Sequence, residues 1–189
     1  MAGCLLIISG PSGVGKTTIC KQLAQRLDAF LSVSLTTRPR RDNEVDGVDY
    51  KFISVEEFER RLAAGELLEY AKVYGGQYYG TPASPVHQAL EAGRVVILEI
   101  DIEGAIQVMR RFPDAISIFV LAPTPEEQQD RLIGRQKDSP EAIRERLGKA
   151  DGEIRYAYEC GAYRHFLVNR TVEGTVDQIV QIVKEKMAR

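Results

Sequence analysis

Apolar runs alternate with amphipathic segments along most of the chain. Runs that are apolar throughout and bounded by Gly, Pro or polar residues predict strands buried on both faces. They lie at residues 4–9, 30–35, 94–101, 116–122 and 165–169. Between them, apolar positions with helical spacing predict amphipathic helices. These helices are expected at residues 16–27, 84–93, 102–111, 124–135, 140–158 and 175–187. The alternation predicts an α/β fold with a parallel sheet covered by helices.

Residues 34–82 depart from this alternation. They are richer in Tyr and Gly than the rest of the chain. A single helix is predicted at 54–65, where Ser54 and Glu57 form a capping box and Gly65 marks the end. Strand-type segments flank this helix at 49–54, 67–73 and 78–80. We interpret 34–82 as a mixed α+β insertion within a single domain that spans residues 1–189.

Composition narrows the class of protein. Of the 189 residues, 44% are hydrophobic, which is enough for one domain with a substantial core. A net charge of −2 with mixed signs argues against a broad nucleic-acid or anionic-membrane surface. The three cysteines lack paired or metal-ligand spacing, which favours a reducing compartment. The N-terminal apolar run is too short to span a membrane and lacks the basic flank of a signal peptide. We therefore expect a cytoplasmic protein without nucleic-acid or membrane partners.

The segment GPSGVGKT, at residues 10–17, matches the phosphate-binding pattern G-x-x-x-x-G-K-[ST]. It lies between a predicted buried strand and a predicted helix, which is the context that this motif requires. The pattern predicts that Lys16 contacts the β- and γ-phosphates of a nucleoside triphosphate and that the Thr17 hydroxyl binds Mg²⁺. We expect the triphosphate to be ATP. The residues predicted to bind it here are Gly10, Pro11, Ser12, Gly13, Val14, Gly15, Lys16, Thr17 and Thr18.

A phosphate-binding loop does not by itself identify the acceptor of the phosphoryl group. The chain lacks the N-K-x-D element with which a GTPase reads guanine. Three arginines crowd into the stretch TTRPRR, at positions 38, 40 and 41. Arginine forks suit phosphate, so these side chains are candidates for an acceptor phosphate. The alternative is a solvated loop in which they pair with Asp42, Glu44 and Asp46.

These motifs together resemble the guanylate kinases, which phosphorylate GMP at the expense of ATP. The resemblance covers essentially the whole chain. Its motifs are IISGPSGVGKTT, SVSLTTRPRRDNEVDGVDYKFIS, LLEYAKV, YYGTP, LEIDIEGA, SIFVLAP, RLIGR, AIRERL and FLVN. The resemblance implies a P-loop kinase core at 1–33, 83–124 and 158–189. It also implies a GMP-binding insertion at 34–82 and a helical lid at 125–157.

The resemblance also implies roles for residues on the GMP side. Glu69 accepts hydrogen bonds from N1–H and the 2-amino group of guanine, while adenine presents an acceptor at N1. Arg40 and Tyr78 remain alternatives to Arg41 and Tyr79, because the RPRR and GGQYYG stretches each leave two registers open. Asp101 is preferred to Glu99 as the carboxylate near Mg²⁺ and the acceptor phosphate. The implied GMP-binding residues are Ser34, Arg38, Arg41, Tyr50, Glu69, Tyr79, Thr81 and Asp101.

On the ATP side, the resemblance implies that Arg135 and Arg146 close over the transferring phosphoryl group. Arg131 is expected to contact ATP and Asn169 to lie at the adenine edge. Thr17 and Asp101 are the expected metal contacts. The implied catalytic set is Lys16, Arg38, Asp101, Arg135 and Arg146.

The expected partners are therefore the small molecules ATP and GMP, with Mg²⁺ as the cofactor, in a monomer or a small homo-oligomer. Two alternatives stay open at this point. One is a guanylate-kinase-like protein-interaction module without catalysis, against which the complete P-loop argues. The other is a related kinase for a different phosphorylated acceptor, against which Ser34, Glu69 and Thr81 argue.

Overall fold

The computed structural model describes residues 3–73, 76–133 and 140–188, without the side chains of residue 73 and residues 140–146. Its strands, in chain order, are β1 Cys4–Ser9, β2 Phe30–Leu31, β3 Leu35–Thr36, β4 Lys51–Phe52, β5 Leu67–Val73, β6 Gln77–Pro82, β7 Val95–Glu99, β8 Ile116–Leu121 and β9 His165–Val168. Its helices are α1 Lys16–Arg26, α2 Val55–Ala63, α3 Ala83–Glu91, α4 Ile102–Arg111, α5 Pro125–Ile133, α6 Pro140–Glu159 and α7 Val172–Met187.

The first sheet has five parallel strands in the order β2-β7-β1-β8-β9. Side chains of the central strand β1 alternate between two separate core clusters. Leu6 and Ile8 join the cluster that holds buried residues of α1 and α7. Leu5 and Ile7 join the cluster that holds buried residues of α3 and α4. Helices therefore cover both faces of a parallel sheet, which confirms the predicted fold class.

The second sheet has four strands in the order β4-β3-β6-β5. Strands β3 and β4 are parallel, whereas β6 pairs antiparallel with both β3 and β5. A small cluster of buried residues, formed by Leu35, Phe58 and Leu67, supports this sheet, and Leu68 of β5 joins the core cluster that contains α4. The sheet is built entirely from residues between 35 and 82, the segment in which the core alternation of the sequence breaks down.

The prediction of one strand at 30–35 was wrong, because the chain changes sheets inside that run. Phe30 and Leu31 pair with β7 of the first sheet. Ser32 makes one more bond to that sheet, from its N–H to the Ile97 carbonyl oxygen at 3.0 Å. Leu35 instead pairs with Lys51 and Gly80 of the second sheet. Both halves of the run are apolar, so the sequence pattern did not show the break.

Side-chain caps fix where several helices begin. Ser54 accepts a hydrogen bond from the Glu57 N–H at 3.2 Å, as its capping-box position predicted. Helix α7 begins at Val172, three residues before the predicted start, because Thr171 caps it by accepting from the Gly174 N–H at 3.2 Å. No helix in the described ranges is both long and apolar enough to cross a membrane.

Candidate active site

The loop between β1 and α1 requires glycine at its first position. Gly10 has φ of +150°, and a Cβ added there would lie 2.3 Å from the Val120 carbonyl oxygen of β8. The Lys16 ammonium folds back over the loop and donates to the carbonyl oxygens of Gly10 and Pro11, at 2.6 and 2.9 Å. The N-terminus of α1 thus combines a lysine charge with helix N–H groups, an arrangement that favours phosphate.

Two buried amide side chains support the loop from below, and neither role was foreseen from the sequence. Asn169 is 2% exposed, and its Nδ2 donates to the Val14 carbonyl oxygen at 2.7 Å. Its Oδ1 accepts from the Thr175 hydroxyl of α7 at 3.0 Å. Gln128 of α5 donates to the Ser12 carbonyl oxygen at 2.7 Å. The described contacts of the Asn169 side chain are therefore with the loop and α7, and its position at the adenine edge stays a prediction.

Two carboxylates follow each other at the end of β7. The Thr17 hydroxyl donates to Glu99 Oε1 at 2.7 Å, so Glu99 is the carboxylate in direct contact with the P-loop. Asp101 caps α4, and its Oδ1 accepts from the Gly104 N–H at 2.8 Å. The structure brings both carboxylates to this edge of the sheet, and the preference for Asp101 near Mg²⁺ and the acceptor phosphate stays a prediction. Their spacing of two residues at the end of one strand was the sequence signal that both carboxylates reach this edge.

A cavity of about 480 Å³ opens between the P-loop and α6. Lys16 and Asp101 line it from the core, and Glu153 and Tyr156 line it from α6. Desolvation raises the pKa of Asp101 and the pKa of Glu153, while the positive charge of Lys16 partly opposes both shifts. The sequence analysis missed Glu153 and Tyr156, because nothing in a long helix indicates which turn faces the P-loop.

On the second sheet, Arg38 is the centre of a compact cluster. It is 9% exposed, and its Nη1 and Nη2 donate to the two carboxylate oxygens of Glu44 at 2.8 and 2.7 Å. Its Nε donates to the Tyr79 hydroxyl at 2.9 Å, and its guanidinium lies 5.3 Å from the ring centre of Tyr50. The bond from Arg38 lowers the pKa of Glu44, whereas desolvation raises the pKa of Tyr50 to about 12. Tyr50 thus keeps a neutral hydroxyl that can donate to an anion.

Arg40 and Arg41 surround the same glutamate from outside. Arg40 donates to the Glu44 backbone carbonyl oxygen at 2.7 Å, and the Arg41 N–H donates to Glu44 Oε2 at 2.9 Å. The alternative of internal pairing is confirmed for Glu44, while Asp46 pairs with Lys51. The Arg41 side chain remains 42% exposed, so it is available to a ligand.

Tyr78 and Tyr79 point to opposite faces of β6, as alternation along a strand requires. Tyr78 stacks on Phe58 of α2, with ring centres 5.0 Å apart. Tyr79 meets the edge of Tyr50, with ring centres 5.8 Å apart, and contacts Arg38. Only Tyr79 therefore shares a face with the arginine cluster.

Glu69 of β5 is buried at the junction of the two sheets. It is 4% exposed, and its Oε1 accepts from the Thr81 hydroxyl at 2.6 Å. Desolvation, with a smaller contribution from the negative charge of Asp101, raises the pKa of Glu69 to about 7. Ser34 lies just before β3, and its carbonyl oxygen accepts from the Lys51 N–H at 2.9 Å. Thr81 and Glu69 thus form one hydrogen-bonded unit close to Asp101.

The comparison with known protein families agrees with this geometry. A family model described as guanylate kinase matches residues 3–186. A guanylate kinase of Symbiobacterium thermophilum is 47% identical over 188 residues, covering 99% of this chain and 87% of its own length. A guanylate kinase of Clostridium perfringens is 46% identical over 188 residues, covering 99% of this chain and 85% of its own length.

The chain belongs to the guanylate kinase family. It is therefore a kinase of the nucleoside monophosphate class. The crystal structure of guanylate kinase from Anaplasma phagocytophilum is also similar, with a TM-score of 0.81 and 33% identity over 100% of this chain and 88% of that one. The P-loop core and the second sheet described above are thus parts of a guanylate kinase fold.

The arginines expected in the lid of this guanylate kinase are described only in part. Arg131 of α5 donates from Nη2 to the Asn169 carbonyl oxygen at 3.0 Å and to Glu127 at 3.3 Å. Its Nη1 is buried without a hydrogen-bond partner among the described residues. Arg135 lies outside the described residues. Arg146 belongs to α6, but its side chain is not among those that the structure describes. Their roles stay predictions.

The oxygen atoms beside the P-loop fit a hard cation. The Thr17 hydroxyl, Glu99 and Asp101 supply the oxygen ligands that Mg²⁺ prefers. Within the described ranges, no three His, Cys, Asp or Glu side chains are grouped so that they could hold a metal ion. This donor set fits an ion bound by one or two carboxylates together with substrate phosphates, which is the usual mode for Mg²⁺.

Proposed function

We propose that this guanylate kinase transfers the γ-phosphoryl group of ATP to GMP, giving ADP and GDP, with Mg²⁺. One observation carries the proposal. A buried carboxylate suited to guanine, Glu69, lies close to Asp101, and Asp101 lines the same cavity as Lys16 of the P-loop. A donor site and an acceptor site therefore adjoin at the carboxyl end of the first sheet.

The selection of guanine follows from the chemistry of the Glu69 carboxylate. Guanine presents two donors on one edge, N1–H and the 2-amino group, and an ionised carboxylate accepts both. Adenine presents an acceptor at N1, which a carboxylate repels. Because Glu69 is 4% exposed, an unmatched base would leave it desolvated and unpaired. Sites that match a buried polar pair discriminate by about 10⁴–10⁵ in other enzymes.

Ser34 and Thr81 are proposed to contact guanine O6. In the structure the Thr81 hydroxyl donates to Glu69, so contact with O6 requires this hydroxyl to rotate. The Thr81 hydroxyl then donates to guanine O6 instead of to the Glu69 carboxylate, and Glu69 accepts from the two guanine donors.

The arginine cluster is proposed to hold the GMP phosphate. That phosphate is a dianion that must approach a triphosphate, so its charge has to be neutralised. Arg38 is held in place by Glu44, and Arg41 is exposed beside it. The Tyr50 and Tyr79 hydroxyls add two further hydrogen-bond donors. Each charge-assisted bond contributes about 1.5–3 kcal/mol.

The phosphoryl step is proposed to be an in-line transfer without a covalent intermediate. The attacking phosphate oxygen of GMP is already ionised near pH 7, so no general base is needed. Lys16 stabilises charge on the β- and γ-phosphates, with Arg131, Arg135 and Arg146 approaching from the lid. Closure of the lid excludes water and thereby suppresses ATP hydrolysis.

Thr17, Glu99 and Asp101 are proposed to hold Mg²⁺. The ion supplies positive charge that neutralises the phosphate oxygens during transfer. The contact between the Thr17 hydroxyl and Glu99 already places these two oxygen ligands together.

The proposal is tested by measuring ADP release in a coupled assay with ATP, Mg²⁺ and each of GMP, AMP, CMP and UMP. We expect turnover with GMP alone, loss of turnover in Lys16→Ala, and loss of the preference for GMP in Glu69→Gln. Turnover with another monophosphate would overturn the assignment of the acceptor. Folded protein that binds nucleotide but turns over none of the four would instead favour the interaction module.

A further inference from the structure

We propose that Gly104 is a positioning residue for base recognition: its missing side chain makes the space in which the Glu69 carboxylate lies. The inference rests on the proposed function, because it assumes that Glu69 reads the base. Gly104 is in the first turn of α4, whereas Glu69 is on β5 of the other sheet. The role thus joins two regions that the sequence keeps 35 positions apart.

The steric argument depends on three distances. A Cβ added to Gly104 would lie 2.5 Å from Glu69 Oε2 and 3.0 Å from Glu69 Cδ. It would also lie 3.3 Å from Asp101 Oδ1. Non-bonded carbon and oxygen atoms do not approach to 2.5 Å, so any side chain at position 104 must displace the Glu69 carboxylate.

The Glu69 side chain has little freedom to move away. It is 4% exposed, and its other oxygen accepts from Thr81 at 2.6 Å. The next residue of its strand, Tyr70, is attached to α4. Gln107 of α4 accepts from the Tyr70 N–H at 3.2 Å and donates to the Tyr70 carbonyl oxygen at 2.7 Å. Arg111 adds a bond to the Leu68 carbonyl oxygen at 2.7 Å. Displacing the carboxylate therefore means changing its direction relative to the base.

Backbone conformation does not account for a glycine at position 104. Gly104 lies within α4 and is not among the glycines with positive φ. Alanine is the better helix former at such a position. The Gly104 N–H donates to Asp101, but alanine at this position would supply the same N–H. What alanine would not supply is the space beside Glu69.

The first test is Gly104→Ala, with Gly148→Ala as the matched control. Gly148 is an exposed helical glycine of α6, and a Cβ added there would meet nothing within 4 Å. We expect Gly104→Ala to raise KM for GMP by about 10- to 100-fold, since a displacement near 1 Å has an effect of this size. KM for ATP should stay within about twofold of wild type. Both constants should be unchanged in Gly148→Ala.

A second readout separates misplacement of Glu69 from general disturbance. IMP has the N1–H of guanine but lacks its 2-amino group. Wild type should therefore prefer GMP to IMP, and Gly104→Ala should lose most of that preference in kcat/KM. A structural defect would instead lower kcat/KM for GMP and kcat/KM for IMP by the same factor, and this result would overturn the proposal.

Rescue by a shorter carboxylate tests the contact itself. Aspartate at position 69 retracts the carboxylate by one methylene. As a single variant, Glu69→Asp should therefore lower kcat/KM for GMP. In the Gly104→Ala background, the same substitution should lower kcat/KM for GMP little or not at all. Losses that multiply in the double variant would show that the two positions act independently and would overturn the inference.

Stability provides a readout that does not need activity. With Glu69→Ala the contact disappears, so adding Gly104→Ala should not lower Tm further, even if Gly104→Ala alone folds poorly. An equal fall in Tm in both backgrounds would refute the inference. Failure of wild type to use GMP would overturn the proposed function instead, so the two failures are distinguishable.

Discussion

The five-stranded and the four-stranded sheet are held together by different forces. Strands of the first sheet lie between two large apolar clusters, and three successive residues of β1, Leu6, Ile7 and Ile8, are fully buried. The second sheet rests on a small cluster of three buried residues, on Leu68, which packs into the cluster beside α4, and on polar contacts such as the pair between Arg38 and Glu44. Apolar burial therefore dominates in the first sheet, and directional polar contacts matter more in the second.

This difference matches the ligand chemistry proposed for each region. In the proposed binding mode, phosphate accepts mainly from backbone N–H groups of the P-loop, and these are fixed when the strand and helix beside it pack. The second sheet presents side chains, and their directions depend on partners such as Glu44 for Arg38 and Thr81 for Glu69. Substitutions that remove such a supporting partner should therefore have larger effects on the acceptor site than on the P-loop.

The largest expected effects come from matched substitutions that truncate one buried side chain beside each sheet. Phe119 of β8 and Phe58 of α2 are both fully buried. Each change to alanine should lower the local free energy of unfolding by about 3–5 kcal/mol. Phe119→Ala should lower the stability of the whole protein, whereas Phe58→Ala should loosen residues 35–82 and leave ATP binding intact.

Hydrogen exchange resolved along the chain, with an ATP titration of each variant, measures this pair of effects. Exchange that accelerates equally in both sheets of Phe58→Ala would mean that the sheets unfold as one unit. The contrast between the two regions would then be wrong.

Glu69→Gln is expected to alter stability in a pH-dependent way. The folded-state pKa is raised from 4.5 to about 7, so the folded state binds the proton more tightly than the unfolded state. Stability contributed by the protonated group is therefore lost as pH rises between these values. At pH 8 the neutral amide should make the variant more stable than wild type by on the order of 3 kcal/mol, with GMP recognition lost.

Urea unfolding of wild type and Glu69→Gln at pH 5 and pH 8 measures this difference. The gain should be small at pH 5 and largest at pH 8. For the same reason, KM for GMP in wild type should rise as pH falls below about 7, because protonated Glu69 no longer accepts both guanine donors. A stability difference that is constant with pH would contradict the prediction.

Removing the partner of Arg38 should affect only the acceptor site. Glu44→Gln weakens a charged pair whose side chains are 9% and 12% exposed, which should cost about 2 kcal/mol. Arg38 should then lose its fixed direction, and KM for GMP should rise about tenfold with KM for ATP unchanged.

Asp46→Asn is the matched control in the same loop. The pair of Asp46 with Lys51 is roughly half exposed, so its loss should cost less than about 1 kcal/mol and leave KM for GMP unchanged. Equal effects of the two variants would mean that burial of the pair does not matter.

The smallest expected effect concerns the support of the P-loop. Asn169→Ala removes the donor to the Val14 carbonyl oxygen without introducing a charge, which should cost about 1–2 kcal/mol. KM for ATP should rise several-fold while KM for GMP stays unchanged. Support of the loop predicts equal weakening of ATP and GTP as donors, whereas a contact at the adenine edge predicts a changed preference between them. Donor kinetics with both triphosphates distinguish the two roles.

The α/β core, the P-loop and the boundaries of most helices could be predicted from the amino-acid sequence. These features depend on patterns that are local along the chain: apolar runs, 3.6-residue periodicity, caps such as Ser54, and the glycine-rich motif at 10–17. The resemblance to guanylate kinases added the candidate residues of both sites. Nothing local distinguished Tyr78 from Tyr79, since both are tyrosines in one short run.

Features that depend on contacts between distant segments became visible only in the packed structure. It divided the apolar run at 30–35 between two sheets, because hydrogen-bond partners and not hydrophobicity select the sheet. It placed Asn169 beneath the P-loop, Glu99 beside Thr17, and Gly104 against Glu69. Each of these contacts joins residues at least 35 positions apart. The residue types are visible in the sequence, but their distances exist only after the two sheets and their helices have packed.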